Sequence, residues 1–267
     1  VIFANTLSSY SSSQENLSTI ISEELGLSDI TTFKIESSSC SGAMAVNIGH
    51  KLLNSDNLES VLIIGAEKMT DLSPAETIKA TALGESYEYT QFFGITMNSL
   101  YALFSRLYME KHGVTSEELS QFSVLSHKNS VTCKHAQFNR EFSLDSINKS
   151  ATVSSPLRML NCSPIGDGSA SLVLSKTNNS NFDDVNILSS TSSNSSTSFF
   201  SREDLLKFNS TTSCLNKSLA ESKINLEDID LLEIHDVVPA ITANILETMG
   251  FSKPGNASSD VLSGKYD

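Results

Sequence analysis

The sequence predicts an α/β protein with a long helical insertion. Three observations carry this reading: a strand, helix, strand pattern over residues 32–64, amphipathic helices from about 71 to 153, and a return of strand character at 169–176. The 267 residues are 39% hydrophobic, enough for one large domain or two smaller ones.

From the amino end, Leu17, Ile20, Ile21 and Leu25 fall at helical spacing before Gly26, a stop signal. Residues 32–36 read as a short strand entering a run of serines. From Cys40 to Leu53 small residues surround Ala43, Val46, Leu52 and Leu53, which predicts a tightly packed helix. Val61 to Ile64 is almost wholly apolar and broken by Gly65, as in a strand buried on both faces. In the insertion, Leu100, Leu103, Phe104, Leu107 and Tyr108 mark a helix that stops at His112-Gly113. Thr115 to Glu118 reads as the next helix start, with acids in its first turn.

Strand character returns as a buried strand in "SASLVLSK" (169–176) and an alternating one in "VNILSS" (185–190). The polar, low-complexity stretch 189–198 reads as a linker. Beyond it, "SREDLLKF" and "CLNKSLAESKI" read as helical, and "LEDIDLLEIHDVV" as a turn leading into a strand. "PAITANILETMGF" reads as a helix opened by Pro239 and closed by Gly250, and the terminal "SSDVLSGKYD" as strand-like or turn-like.

A net charge of −13 disfavours nucleic-acid and anionic-membrane surfaces, because the main attraction would have the wrong sign. No window approaches the roughly 20 apolar residues that cross a bilayer. The amino end has neither the charged nor the apolar region of a leader, so a cytoplasmic protein is expected. The four cysteines, at 40, 133, 162 and 214, show no Cys-x-x-Cys spacing, which points to reduced thiols and no metal site. The chain opens on Val1, not Met, and a fragment is expected.

Cys40 is placed at a helix N-terminus, where unpaired amides and the dipole favour negative charge on its sulfur. Ser41, Gly42, Ala43 and Ala45 would let neighbours or substrate approach closely. An inert buried thiol is the alternative.

Five ordered stretches, "SSSCSGAMA", "GAEKMTD", "GITMNSLYALFSRLYMEKHGVTSEELSQFSVLSHKNS" with "AQF", "PLRMLNCSPIGDGSASLVL" and "DIDLLEIHD", together resemble the thiolase superfamily, nearest its sterol-carrier-type and archaeal-type members. The resemblance implies a five-layered α/β/α/β/α fold. Residues 1–71 with 154–188 would form a first half lacking its first strand, 72–153 a helical region over the coenzyme A site, and 199–267 an incomplete second half. It makes Cys40 the acyl-accepting nucleophile, its own amide an oxyanion donor, and His235 the stabiliser of an enolate formed on a second acyl-CoA. Ser163 would lie along the pantetheine arm, and Phe92 and Phe93 would line the tunnel. Coenzyme A thioesters are then substrates, with no permanently bound cofactor.

A homodimer or homotetramer is implied, with room for an accessory acyl-CoA-pathway subunit. His127 is assigned to orientation or packing, and Glu67 and Asp71 to holding loops; Cys133, Cys162 and Cys214 are read as structural. The family's aromatic after His-Asp-x is Val238 here, which implies a reshaped pocket wall. The family's Gly-His-Pro-x-Gly and second Cys-x-Gly elements are not found downstream of His235, so a truncated chain, inactive as it stands, is expected. The rivals are a ketoacyl synthase or hydroxymethylglutaryl-CoA synthase, disfavoured by the long insertion, and a non-catalytic partner subunit.

Overall fold

The computed structural model describes residues 1–55, 58–176, 185–196 and 201–267. Residues 177–184 and 199–200 of the two expected halves, and 197–198 of the linker, lie outside them. The chain divides into two compact units. The first comprises Val1–Ala80, Ile165–Ser192 and Lys217–Ile224; the second comprises Thr81–Pro164, Ser193–Asn216 and Asn225–Asp267.

The first unit is built on a four-stranded sheet. Its elements are β1 (Ile2–Ala4), α1 (Ser8–Ser11), α2 (Leu17–Glu24), β2 (Phe33–Ile35), α3 (Ser41–Ser55), β3 (Ser60–Glu67) and α4 (Pro74–Thr81), with β6 (Gly168–Ser175) returning later. The order is β2-β1-β3-β6, parallel except for antiparallel β6, which pairs with β3 from Ser60 opposite Ser175 to Glu67 opposite Gly168. Helical crossovers through α2 and α3 make the parallel pairing possible. Ile2, Ala4, Val61 and Ile63 pack beneath Ala45 and Leu53 of α3. Gly49 brings that helix down: a Cβ there would stand 3.0 Å from Ile63 Cδ1 and 3.2 Å from Leu174 Cδ1.

Several expectations are corrected here. β1 is a strand the sequence reading overlooked, because three residues are too few to show a period. β3 buries Val61 and Ile63 but only half-buries Leu62 and Ile64. β6 is largely exposed, with Val173 at 64%, and it is the outer strand of the sheet among the described residues. In α2 the buried residues are Ser18 and Ser22, while Leu25 is exposed. Small serines permit close approach, and the Ser22 hydroxyl is satisfied by the Ser18 carbonyl at 2.7 Å. Residues 185–190 are irregular; the Ser190 carbonyl accepts from Asn47 Nδ2 of α3 at 2.5 Å instead of entering a ladder.

The second unit is helical. It contains α5 (Met97–His112), α6 (Ser116–Ser130), α7 (Leu144–Lys149), the pair β4 (Thr152–Ser154) and β5 (Leu157–Arg158), α9 (Pro239–Thr248) and α10 (Ala257–Leu262). The residues of α8 (Asn209–Ser222) are divided between the two units. Thr96 with Ser99 and Thr115 with Glu118 form capping boxes that open α5 and α6, and Gly113 closes α5 at φ 68°. Phe104, Tyr108, Leu119, Phe122, Ala240, Ala243, Leu246, Ala257 and Val261 make the core among α5, α6, α9 and α10.

Residues 201–208 are not an α-helix. Asp204 Oδ1 accepts the Leu206 amide at 2.9 Å and folds a turn there. The terminal segment expected as strand or turn contains α10. Residues 229–236 form no strand among the described residues: Leu232 and Ile234 pack against the helical core, but no neighbouring strand supplies a ladder. No described helix is long and apolar enough to cross a membrane.

Candidate active site

Cys40 stands where β2 turns into α3, and it is exposed. Its carbonyl accepts the Met44 amide at 2.9 Å, so it is the last residue before the helix. The turn is closed by Ser38 at a positive φ of 49°. Buried Ser41 holds it from within: its hydroxyl accepts from the Ser37 amide at 2.8 Å and donates to the Ser38 carbonyl at 2.7 Å. The Thr6 hydroxyl donates to the same carbonyl at 3.0 Å. Cys40's own amide donates to the Ser37 carbonyl at 3.0 Å, so the expectation that it is free for an oxyanion is corrected. The exposed amides of Gly42 and Ala43 have no acceptor among the described residues.

Glu67, at the end of β3, anchors the residues that follow β1, Thr6 among them. Its carboxylate accepts from the Thr6 amide and from Asn5 Nδ2, both at 2.9 Å, and from the Leu7 amide at 3.2 Å. Asp71 pairs with Lys68. Asp167 accepts from the Met69 amide at 2.7 Å and from the Thr70 hydroxyl and amide. These donors, the Thr70 hydroxyl first, hold its carboxyl below the usual carboxylate range. Among the described residues no cluster of His, Cys, Asp and Glu could hold a metal.

The other expected residues belong to the second unit. His235 is exposed on the extended segment whose Leu232 and Ile234 face the core. Asp236 beside it accepts from the Ser126 hydroxyl of α6 and, at 2.5 Å, from the Thr242 hydroxyl of α9. Ser163 joins this segment: its hydroxyl donates to the Asp236 carbonyl at 3.1 Å, and its amide to the Val237 carbonyl at 3.3 Å. Ser163 and the His235 segment are thus brought together. Val238, 1% exposed, packs with Ala102 and Leu157.

Phe92 and Phe93 form an exposed edge-to-face pair with centroids 5.3 Å apart. They follow a π-helical turn, residues 87–91, that buries Thr90. His127 Nε2 lies 3.3 Å from the Leu160 carbonyl, and its ring meets Phe138 and Phe142 edge-on. Burial pushes the Cys162 thiol up to about 11. The sequence reading passed over Thr6, Asn5, Ser126 and Thr242. Only the spacing of Asp236 from Thr242 across the helix-opening Pro239 could have signalled one of them.

A sheet whose crossover helix carries an exposed cysteine at its head, followed by a helical insertion, defines an α/β protein of the thiolase-like fold. The chain belongs to the thiolase family: residues 1–178 match "Thiolase, N-terminal domain" and 191–267 match "Thiolase C-terminal domain-like". The acetyl-CoA acetyltransferase of Methanocaldococcus jannaschii is 32% identical over 257 residues, covering 94% of this chain and 65% of that protein. The Methanothermobacter thermautotrophicus acetyl-CoA acetyltransferase is 31% identical, covering 91% and 63%. Bovine sterol carrier protein 2 is 26% identical, covering 91% and 48%. The chain thus spans less than two thirds of these relatives' own lengths. Among solved structures, "Ltp2-ChsH2(DUF35) aldolase" superposes with a TM-score of 0.79 at 20% identity, covering 98% of this chain and 69% of that one. The acetyl-CoA acetyltransferase from Syntrophomonas wolfei gives 0.65 at 16% identity, covering 99% and 79%. These two likenesses are of fold.

Proposed function

We propose that this chain supplies Cys40, the nucleophile of the thiolase type of acyl transfer between coenzyme A thioesters through an acyl-enzyme. The observation that supports this best is the exposed Cys40 sulfur at the head of α3, on a turn held by Thr6, Ser38 and Ser41 in a thiolase-family chain. The Cys40 sulfur attacks the thioester carbon of the first acyl-CoA, forming a carbon–sulfur bond as coenzyme A leaves, and the proton of the Cys40 thiol passes to the departing coenzyme A sulfur. Negative charge on the intermediate's oxygen would find donors in the unpaired amides of Gly42 and Ala43. The α-carbon of a second acyl-CoA then gives up a proton and attacks the acyl carbon; the bond to the Cys40 sulfur breaks, that sulfur takes up the proton, and a 3-oxoacyl-CoA results; thiolysis is the reverse.

His235 donates to the thioester oxygen of the second acyl-CoA, directly or through water, and so stabilises the enolate. The Ser163 hydroxyl, already donating to Asp236, keeps lone pairs to accept from an amide of the pantetheine arm. Phe92 and Phe93 offer it apolar surface. In this reading residues 1–71 with 154–188 form one half, 199–267 belong to the other, 72–153 form a helical region that serves the coenzyme A site, and the protein works as a homodimer or homotetramer. The thiolase family match favours this over a ketoacyl or hydroxymethylglutaryl-CoA synthase.

Incubation with radiolabelled acetyl-CoA, digestion and mass spectrometry of the peptides tests the proposal. Acetyl on Cys40, abolished by Cys40→Ser and retained by Ser39→Ala, is expected. A native protein that leaves Cys40 unlabelled would be a non-catalytic subunit, and the reading would fall.

A further inference from the structure

Asp236 pairs with no cation among the described residues; its carboxylate is held by two hydroxyls on two different helices, Ser126 of α6 and Thr242 of α9. The main chain at the same place is held from a third side, by the hydroxyl and amide of Ser163 on the carbonyls of residues 236 and 237. The neighbouring His235 imidazole, by contrast, has no hydrogen-bond partner among the described residues and is exposed. A side chain used in chemistry needs a fixed base and a free tip, and a carboxylate gripped by hydroxyls supplies the first without competing for the second.

We infer that Asp236, through Ser126 and Thr242, is the positioning residue for His235: it fixes the peptide from which the imidazole projects and leaves both ring nitrogens to substrate. This rests on the role given to His235 above. A carboxylate that merely staples the start of α9 would act on the helix alone. Positioning requires that loss of either hydroxyl be felt at the imidazole.

The test uses the whole chain labelled with carbon-13 in its histidine rings, the His235 signal being assigned by its loss in His235→Gln. Thr242→Val and Ser126→Ala are expected to shift and broaden that signal, leave that of His50 on α3 unmoved, and speed hydrogen exchange at the Ser163 amide about tenfold, the equivalent of one net hydrogen bond. Thr242→Ser restores the hydroxyl and should restore both readouts. An unchanged His235 signal in folded Thr242→Val and Ser126→Ala proteins overturns the inference, as does a Thr242→Ser protein that behaves like Thr242→Val. Addition of acetyl-CoA separates this from the functional reading. If the wild-type His235 signal ignores acetyl-CoA while the ligand-free variants still displace it, the clamp stands and the enolate role falls.

Discussion

The Tyr108 phenol sits at the junction of three helices, and its removal has a magnitude that can be worked out. Tyr108 of α5 is fully buried, and its hydroxyl donates to Glu247 Oε1 of α9 at 2.5 Å; the same oxygen accepts the Ala257 amide of α10 at 3.1 Å. Tyr108→Phe keeps the ring and deletes only the donor. A hydrogen bond to a charged group contributes about 1.5–3 kcal/mol net. Glu247 is half-buried and partly reached by water, which favours the lower end, about 2 kcal/mol. For a chain of this size that lowers Tm by about 4–8 °C.

Thermal unfolding of Tyr108→Phe, Glu247→Gln and the double variant checks the figure. The cycle should return a coupling of about 1–2 kcal/mol. A Tyr108→Phe protein that melts with wild type, or a loss equally large in the Glu247→Gln background, would refute the reasoning.

Two further outcomes follow from neighbouring features. Gly255 has φ +80° and would place a Cβ 2.9 Å from His112 Nδ1, whereas Gly113, at φ +68°, has open space around it. Gly255→Ala should cost about 2–4 kcal/mol in denaturant unfolding and Gly113→Ala only about 1–2, and equal losses would dismiss the steric contact. The Cys162 thiol, raised by burial to about 11, is mostly protonated at neutral pH. Its alkylation by iodoacetamide in the folded protein should climb about tenfold per pH unit from 8 to 10, because the reactive thiolate climbs so. A rate that levels off below pH 9 would show that burial does not hold the proton there.

What could be read from the sequence was whatever is local. The start of α6 is written in Thr115 and Glu118, the end of α5 in Gly113, and the helix after Cys40 in its run of small residues. Neighbours from elsewhere decide the rest. Whether "SLVL" is a central or an edge strand depends on what lies beside it, so β6 was expected buried and is exposed. Leu232 and Ile234 fall two apart, as on one face of a strand, but find no ladder among the described residues. At the site, Cys40 and His235 carry motifs, whereas the groups that hold them carry none. Glu67 reaches Thr6 across 61 residues, and Ser126 reaches Asp236 across 110.

The place of β1 also sets a timetable for synthesis. Residues 2–4 lie in the middle of their sheet, between strands that include residues 33–35 and 60–67, while the far edge is supplied by residues 168–175. As the ribosome extrudes the chain, β1 waits for both its neighbours, and β3 then waits about a hundred residues more for β6. The helix-rich polypeptide between them is made before that edge can be closed. A nascent chain halted in this interval would present β3 with one side unpaired, open to a foreign strand or a chaperone.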